Sequence, residues 1–274
     1  MKNETYFDNI DSEEKAYWLG FIVADGNLSR NETVMQINLS GKDISHLEKL
    51  GSILRQPVKE TYWKRNGKDL SGCYLAFSSR RCWKSLYNTG LRPAKTYEDQ
   101  SIVWFDLNSS LRRSFIRGLF DGDGCVSFSR SGNKFLCSVS ICGEKRLIEA
   151  IQDHLSDKLG ISKSKNEHRN LLTITRWSGT RQVGAIEDYL YKNASVCLER
   201  KRSIFRSIRN NPSKSQFFGV TKTSSGKWNA SIRNKNKRHH IGNFDTAEKA
   251  ARAYDTQAIL LRKPSYKINF RSNT

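Results

Sequence analysis

Two aspartates, Asp25 and Asp123, stand 98 residues apart, each followed by a glycine and each at the end of a short apolar run. The first run reads Trp18-Leu19-Gly20-Phe21-Ile22-Val23-Ala24-Asp25-Gly26, the second Ile116-Arg117-Gly118-Leu119-Phe120-Asp121-Gly122-Asp123-Gly124. Both runs read as helices, and the final glycine of each is expected to take the left-handed conformation that ends a helix. A carboxylate at a helix C-terminus meets the negative end of the backbone dipole, at a cost of about 0.3–1 kcal/mol. A local rule broken twice in the same way marks a functional site. Spare carboxylates crowded together suit a hard divalent cation, so Asp25 and Asp123 are the expected metal ligands and Mg²⁺ the expected cofactor.

The small residues say how the two acids would meet. Gly20 and Ala24 are four apart, as are Gly118 and Gly122, so each pair lies on one helix face. Two such faces allow close backbone approach, as small-xxx-small pairs do elsewhere. If the helices pack on these faces, Asp25 and Asp123 end side by side.

The surrounding pattern repeats. In the first copy a helix is expected over about 12–25, capped by Asp11 or Ser12, with strands near 27–31 and 33–40. A helix near 43–55, strands at 58–65 and 71–79 joined by Asn66-Gly67, and a short helix at 80–89 follow. The second copy gives helices near 109–123, 143–159 and 179–191, with strands near 125–130, 133–141, 161–168 and 170–177. The fold class is therefore α+β: tandem αββαββα units forming a pseudo-twofold saddle, spanning 1–105 and 106–200. Each sheet is expected to keep one face free, carrying Gln36, Asn38 and Ser40 in one copy and Ser138, Ser140, Thr173 and Thr175 in the other. A curved polar sheet pair of this kind fits a duplex groove.

Residues 201–214 read as a basic linker. A third unit, 215–274, is expected to hold three strands packed on one helix of about 246–262. In its middle strand Trp228, Ala230 and Ile232 alternate with Lys227, Asn229, Ser231 and Arg233, which gives an apolar face and a basic one. The major groove of DNA admits such a ribbon. Charge agrees: the chain of 274 residues carries a formal +20, and 18 of its 47 Lys+Arg but only 3 of its 27 Asp+Glu fall from Arg200 onward. A basic tail of this kind seeks a polyanion, and double-stranded DNA is the expected partner. No long apolar span or signal peptide is evident, so a membrane partner is not expected and an intracellular location is. The six scattered cysteines form no CxxC pair and are expected as reduced thiols, not zinc ligands.

The residues resemble two known families. Residues 12–205 look like a single-chain LAGLIDADG homing endonuclease, the nine-residue motif falling on Trp18–Gly26 and Ile116–Gly124. The resemblance implies a site-specific endonuclease cutting both strands of a long, non-palindromic duplex, with the eighth motif residues, Asp25 and Asp123, binding metal. The sixth is Val23 in one copy and Asp121 in the other, so the first copy departs from the usual aspartate. The family's lysine after each repeat maps to Lys95 and Lys201, and its polar residue ending the second strand to Ser40 and Cys142. Residues 216–271 are similar to an AP2 DNA-binding domain, through Phe218-Gly219-Val220, Gly226–Arg233, Ile241–Asp255 and Asn269-Phe270. Phe218, Thr221, Thr223 and Ser225 depart from that family's base-reading pattern, leaving Lys227, Arg233 and Arg238 as expected contacts. Two motif copies in one chain imply a monomer. The competing expectation is a DNA-binding regulator or intron RNA maturase on the same fold. An intein is disfavoured because no splicing segments flank the repeats.

Overall fold

The computed structural model describes residues 1–93, 102–131, 134–169, 171–209, 217–235, 237–264 and 267–270. The first repeat runs α1 (Glu13–Asp25), β1 (Gly26–Leu28), β2 (Val34–Ser40), α2 (Ile44–Leu54), β3 (Lys59–Arg65), β4 (Lys68–Ser78) and α3 (Arg80–Asn88). After the one-turn α4 (Ile102–Phe105), the second repeats the order as α5 (Arg112–Asp123), β5 (Gly124–Ser131), β6 (Lys134–Gly143), α6 (Lys145–Leu159), β7 (Glu167–Arg169), β8 (Leu172–Ser178) and α7 (Thr180–Tyr191). The sheets share one antiparallel topology, β1-β2-β4-β3 and β5-β6-β8-β7. The fold class is thus as expected, α+β with duplicated four-stranded sheets.

Local chemistry sets the boundaries. Ser12 caps α1, its hydroxyl accepting from the Lys15 N–H, and Glu13 and Glu14 occupy the favourable first turn. Asn66 and Gly67 join β3 to β4 with positive φ of 53° and 72°, the conformation that matches hairpin twist. The glycines closing α1 and α5 depart from expectation. Gly26 and Gly124 are extended, with φ of −78° and −81°, because each helix passes straight into a strand. Glycine is required there for space: a Cβ on Gly26 would lie 2.5 Å from the Ile22 carbonyl oxygen, and one on Gly124 would overlap Phe120.

At the centre α1 and α5 meet backbone to backbone. A Cβ on Gly20 would strike the carbonyl oxygen of Phe115, and one on Gly118 that of Tyr17. Around this seam Tyr17, Trp18, Phe21, Ile22, Phe115, Ile116 and Phe120 are all essentially inaccessible to water and form the middle of one core that spans both repeats.

Residues expected as the start of a linker are helical instead. The helix α8 (Glu199–Arg209) buries Phe205 and Ile208 against the same core. Its charge hides an amphipathic stripe, Ile204-Phe205 with Ile208, at helical spacing.

The third unit has strands β9 (Val220–Lys222), β10 (Trp228–Asn234) and β11 (Lys237–Phe244) in the order β11-β10-β9, and helix α9 (Ala247–Leu260) capped by Thr246. Its small core is its own: Val220, Ala230, Ala250 and Ala251, with Ile232, Tyr254 and Ala258 beside them. Alanines let the helix lie close to the sheet. Gly219, at φ +67°, leaves room for the Tyr254 ring beneath it. Asn269 ties the end of the unit to its start, accepting from the Phe218 N–H at 2.6 Å.

The helix seam yields a stability test. Gly118→Ala is expected to destabilise the protein by about 1–3 kcal/mol or more, since only backbone can give way. Gly184→Ala is the control: that glycine lies in α7 with nothing within 4 Å of an added Cβ, so a gain of up to about 1 kcal/mol is expected. Urea unfolding of the two variants measures both.

Candidate functional site

The last residues of α1 and α5 are Asp25, half-buried, and Asp123, exposed. The glycine seam brings these helix ends together: the position a Cβ on Gly122 would take is 3.0 Å from Asp25 Oδ2 and overlaps the Ala24 Cβ. Beside them opens a cleft of about 530 Å³ lined by Asp25, Gly122, Ser40, Asp43, Trp63 and Arg200, among others.

The sixth motif residue proves to be the organiser of the second copy. Asp121, 1 % exposed, accepts from Tyr17 Oη at 2.8 Å, Tyr191 Oη at 2.5 Å and the Leu198 N–H at 2.7 Å. Burial pushes its carboxyl up to about 6, against the pull of those donors and of Lys201. Tyr17 has one proton and gives it to Asp121, so at its other contact, 2.9 Å, His46 Nε2 must donate. Its buried Nδ1 has no hydrogen-bond partner to take a second proton's donation, so the imidazole is held neutral in the Nε2–H form. Burial lowers the His46 pKa to about 4. Arg117, fully buried over the Tyr17 ring, donates to the carbonyls of Val196 and Leu190 at 2.9 and 3.1 Å.

Together Arg117 and Asp121 fasten the chain between α7 and α8 onto α5, and so fix the first turn of α8. Lys201 issues from that turn. It is 6 % exposed and donates to the carbonyl oxygens of Phe120 and Gly122 at 2.7 Å each, a cation at the negative end of α5. Burial lowers its pKa, while Asp121, Asp25 and Asp123 raise it. Its neighbour Arg200 points to the first repeat and holds Asp43 through Nε and Nη2 at 3.1 and 2.9 Å. Sequence reasoning does not single out Arg200, Asp43, His46 or Tyr17. Arg117 carries one signal, a lone cation inside a motif of apolar and acidic residues.

Lys95 lies outside the described residues. Among the described residues there is no group of three or more His, Cys, Asp or Glu able to hold a metal. The donor set is two carboxylates at adjoining helix ends. That fits Mg²⁺, which commonly takes one or two carboxylates and keeps several waters.

On the sheets, Gln36 and Asn38 lie on the face away from the helices, as expected, and Gln36 donates to Asn38 at 2.9 Å. In the second sheet Ser138 shares the open face with Ser127, its cross-strand partner, at 3.2 Å, and Ser140 lies on it more deeply buried. Thr173 and Thr175 do not belong there. They are 2 % and 0 % exposed, on the helix side with Trp177, where Thr173 meets His168 at 3.0 Å and Thr175 accepts from Gln152 at 2.6 Å. The open face of β8 carries Ile174, Arg176 and Ser178 instead, aligned with Cys142, Ser140 and Ser138 of β6.

In the third unit Lys227, Arg233 and Arg238 are exposed and Asn229 is half-buried, its amide 2.6 Å from His240. Ser231, expected on the free face, is covered: Arg238 Nε donates to its hydroxyl at 2.8 Å. Trp228 is half-buried against the alanine cluster. All six cysteines are free thiols, and among the described residues no helix is long and apolar enough to cross a membrane.

Residues 110–190 match a family model described as a LAGLIDADG-like domain, which covers the second repeat. The homing endonuclease I-WcaI bound to its DNA recognition sequence shares the fold, with a TM-score of 0.53 at 12 % identity, over 69 % of this chain and 85 % of that one. The ethylene-responsive transcription factors ERN3 of Medicago truncatula and ERF084 of Arabidopsis thaliana are 49 % identical over 59 residues and 42 % over 88, covering 21 % and 31 % of this chain. The chain spans 25 % and 31 % of the length of those two relatives.

The neutral, buried imidazole gives a pH test. Below about 6.5 the unfolded chain binds a proton at His46 that the folded protein refuses until about 4, so this residue removes stability as pH falls through that window. The stability of wild type relative to His46→Gln is expected to drop by about 3 kcal/mol between pH 7 and pH 4. Paired denaturant titrations at the two pH values measure it.

Proposed function

We propose that this protein is a site-specific DNA endonuclease that hydrolyses phosphodiester bonds on both strands of a long, non-palindromic duplex. The observation that carries the reading is the side-by-side ending of α1 and α5 at Asp25 and Asp123, next to a cleft that Asp25 shares with β2, β3 and β4 of the first sheet. Mg²⁺, held by these two carboxylates, would orient the attacking water and neutralise charge on the leaving oxygen. In the reaction a water oxygen bonds to phosphorus and loses a proton to solvent. The bond from phosphorus to the leaving sugar oxygen breaks, and that oxygen takes up a proton.

The chain's own residues supply the rest. Lys201, anchored on the last carbonyls of α5, keeps a positive charge beside the acids. Lys95 is assigned the corresponding role for the first repeat. Gln36 and Asn38 on one sheet, Ser138 and Ser140 on the other, present donors and acceptors to base edges. The repeats differ in sequence, so their half-sites differ and one chain suffices. The third unit, read as an AP2-like domain, adds phosphate contacts through Lys227, Arg233 and Arg238, with Asn229 beside them.

Two experiments test this. Asp25→Asn and Asp123→Asn, each alone, are expected to abolish linearisation of a target plasmid in Mg²⁺ while duplex affinity changes by less than about threefold, since chemistry and groove binding use different groups. Wild-type binding with no nicking would instead support a DNA-binding regulator or RNA maturase. Replacing Lys227, Arg233 and Arg238 by alanine together is expected to lower the slope of log affinity against log salt by about 2–3, near 0.9 for each phosphate no longer neutralised. An unchanged slope would remove the third unit from the interface.

A further inference from the structure

One ion pair in the cleft joins the start of α8 to the first repeat. Asp43 closes a one-turn 3-10 helix, Gly41–Asp43, that leads straight into α2, close enough for an aspartate to accept from the first N–H groups of that helix. Its side chain makes no such bond. In the second repeat α6 starts without such a turn, and Glu144 caps it, accepting from the N–H groups of Arg146 and Leu147. Asp43 is turned away from α2 and takes both oxygens to Arg200, across 157 residues of sequence.

The pair is built to aim Arg200. The aspartate is nearly buried, with 8 % of its side chain exposed, whereas the Arg200 side chain is half-exposed. Two of the five guanidinium N–H groups are committed to Asp43, through Nε and Nη2. The pair lines the cleft together with Asp25, Gly122, Ser40 and Trp63, and three of the guanidinium N–H groups make no bond to Asp43. Asp25 is among the charges that raise the Arg200 pKa. A planar, permanently charged fork of donors beside a carboxylate is suited to an anionic oxygen pair such as a phosphodiester.

The arrangement has a side. Lys201, the next residue, is turned the other way, onto the carbonyls that end α5. At the start of α6 the second repeat places a helix cap, Glu144, instead. We propose that Arg200, aimed by Asp43, grips the scissile phosphate on the Asp25 side of the cleft, so that the two strands are cut by chemically unlike half-sites. Arg200 is then a catalytic residue for one strand, and Asp43 a positioning residue acting through it. This rests on the endonuclease reading above.

The test uses the full chain and a supercoiled plasmid carrying a target selected from a randomised pool. Strand-specific end labels report each nick, and binding is measured separately in EDTA. Arg200→Ala is expected to slow cutting of one strand by about 100-fold, the scale of a lost transition-state donor, so that singly nicked circles accumulate. The other strand should be cut within about threefold of the wild-type rate, and affinity in EDTA should change no more than that. Arg200→Lys should restore part of the rate on the slowed strand. Asp43→Asn should slow the same strand by a smaller factor and leave the other alone, a signature that loss of folding would not produce. Thermal unfolding of all three variants checks that they are folded, and Asp43→Asn carries the test should Arg200→Ala prove unstable. Equal slowing of both strands, no slowing of either, or a loss of affinity that accounts for the loss of rate would overturn the assignment. Wild type that binds but cuts neither strand would overturn the endonuclease reading itself, and with it this one.

Discussion

The structure depends on two helices touching without side chains between them. Where Gly20 meets the Phe115 carbonyl and Gly118 that of Tyr17, even a methyl group would collide with backbone. Dense packing leaves such a seam no compliant partner that can yield. The close approach sets the distance between the repeats, brings the acidic helix ends together, and orients the sheets on either side. Large aromatic residues flank it, so that burial of Tyr17, Trp18, Phe21, Phe115 and Phe120 drives the contact that the glycines permit.

The two motif helices are matched in outline and unlike in chemistry. The second carries Arg117 and Asp121 where the first carries Leu19 and Val23. Those two charged groups are buried, and their partners satisfy them: Tyr17 and Tyr191 phenols, the Leu198 N–H, and the carbonyls of Leu190 and Val196. A buried charge without such partners would be strongly destabilising. The network therefore fixes where the chain leaving α7 must run. The first turn of α8, with Arg200 and Lys201, inherits its position from it.

Much of this is legible in the sequence. The duplicated motif, the glycine spacing and the strand–turn–strand patterns all follow from periodicities of 3.6 and 2, and the structure keeps the element order they give. What the sequence conceals has physical causes. A glycine closing a helix ordinarily signals a left-handed cap, but here the chain goes directly into a strand and the glycine relieves crowding. Polarity alone puts Thr173 and Thr175 on the open face; Trp177, at the same parity, is the residue that decides the strand's inner side. Their hydroxyls are satisfied internally by His168 and Gln152, which no strand pattern announces. Alternation exposes Ser231, yet Arg238 covers it across the sheet. The basic run after Leu198 looks like a tether because charge outweighs the stripe of Ile204, Phe205 and Ile208. Asp43 and Arg200 are 157 residues apart, and only the folded chain joins them.

The third unit keeps a core of a few alanines, aliphatics and aromatics that does not merge with the larger one. It touches the second repeat through Arg181, which stacks on Phe218 at 4.1 Å and donates to the Ile268 carbonyl at 3.0 Å. A module with a core of its own can be gained, exchanged or discarded by recombination with little disturbance to the core of its host. One genetic step is then enough to alter what the basic third unit adds to the chain, whereas the paired helices, packed backbone against backbone, leave far less room for change.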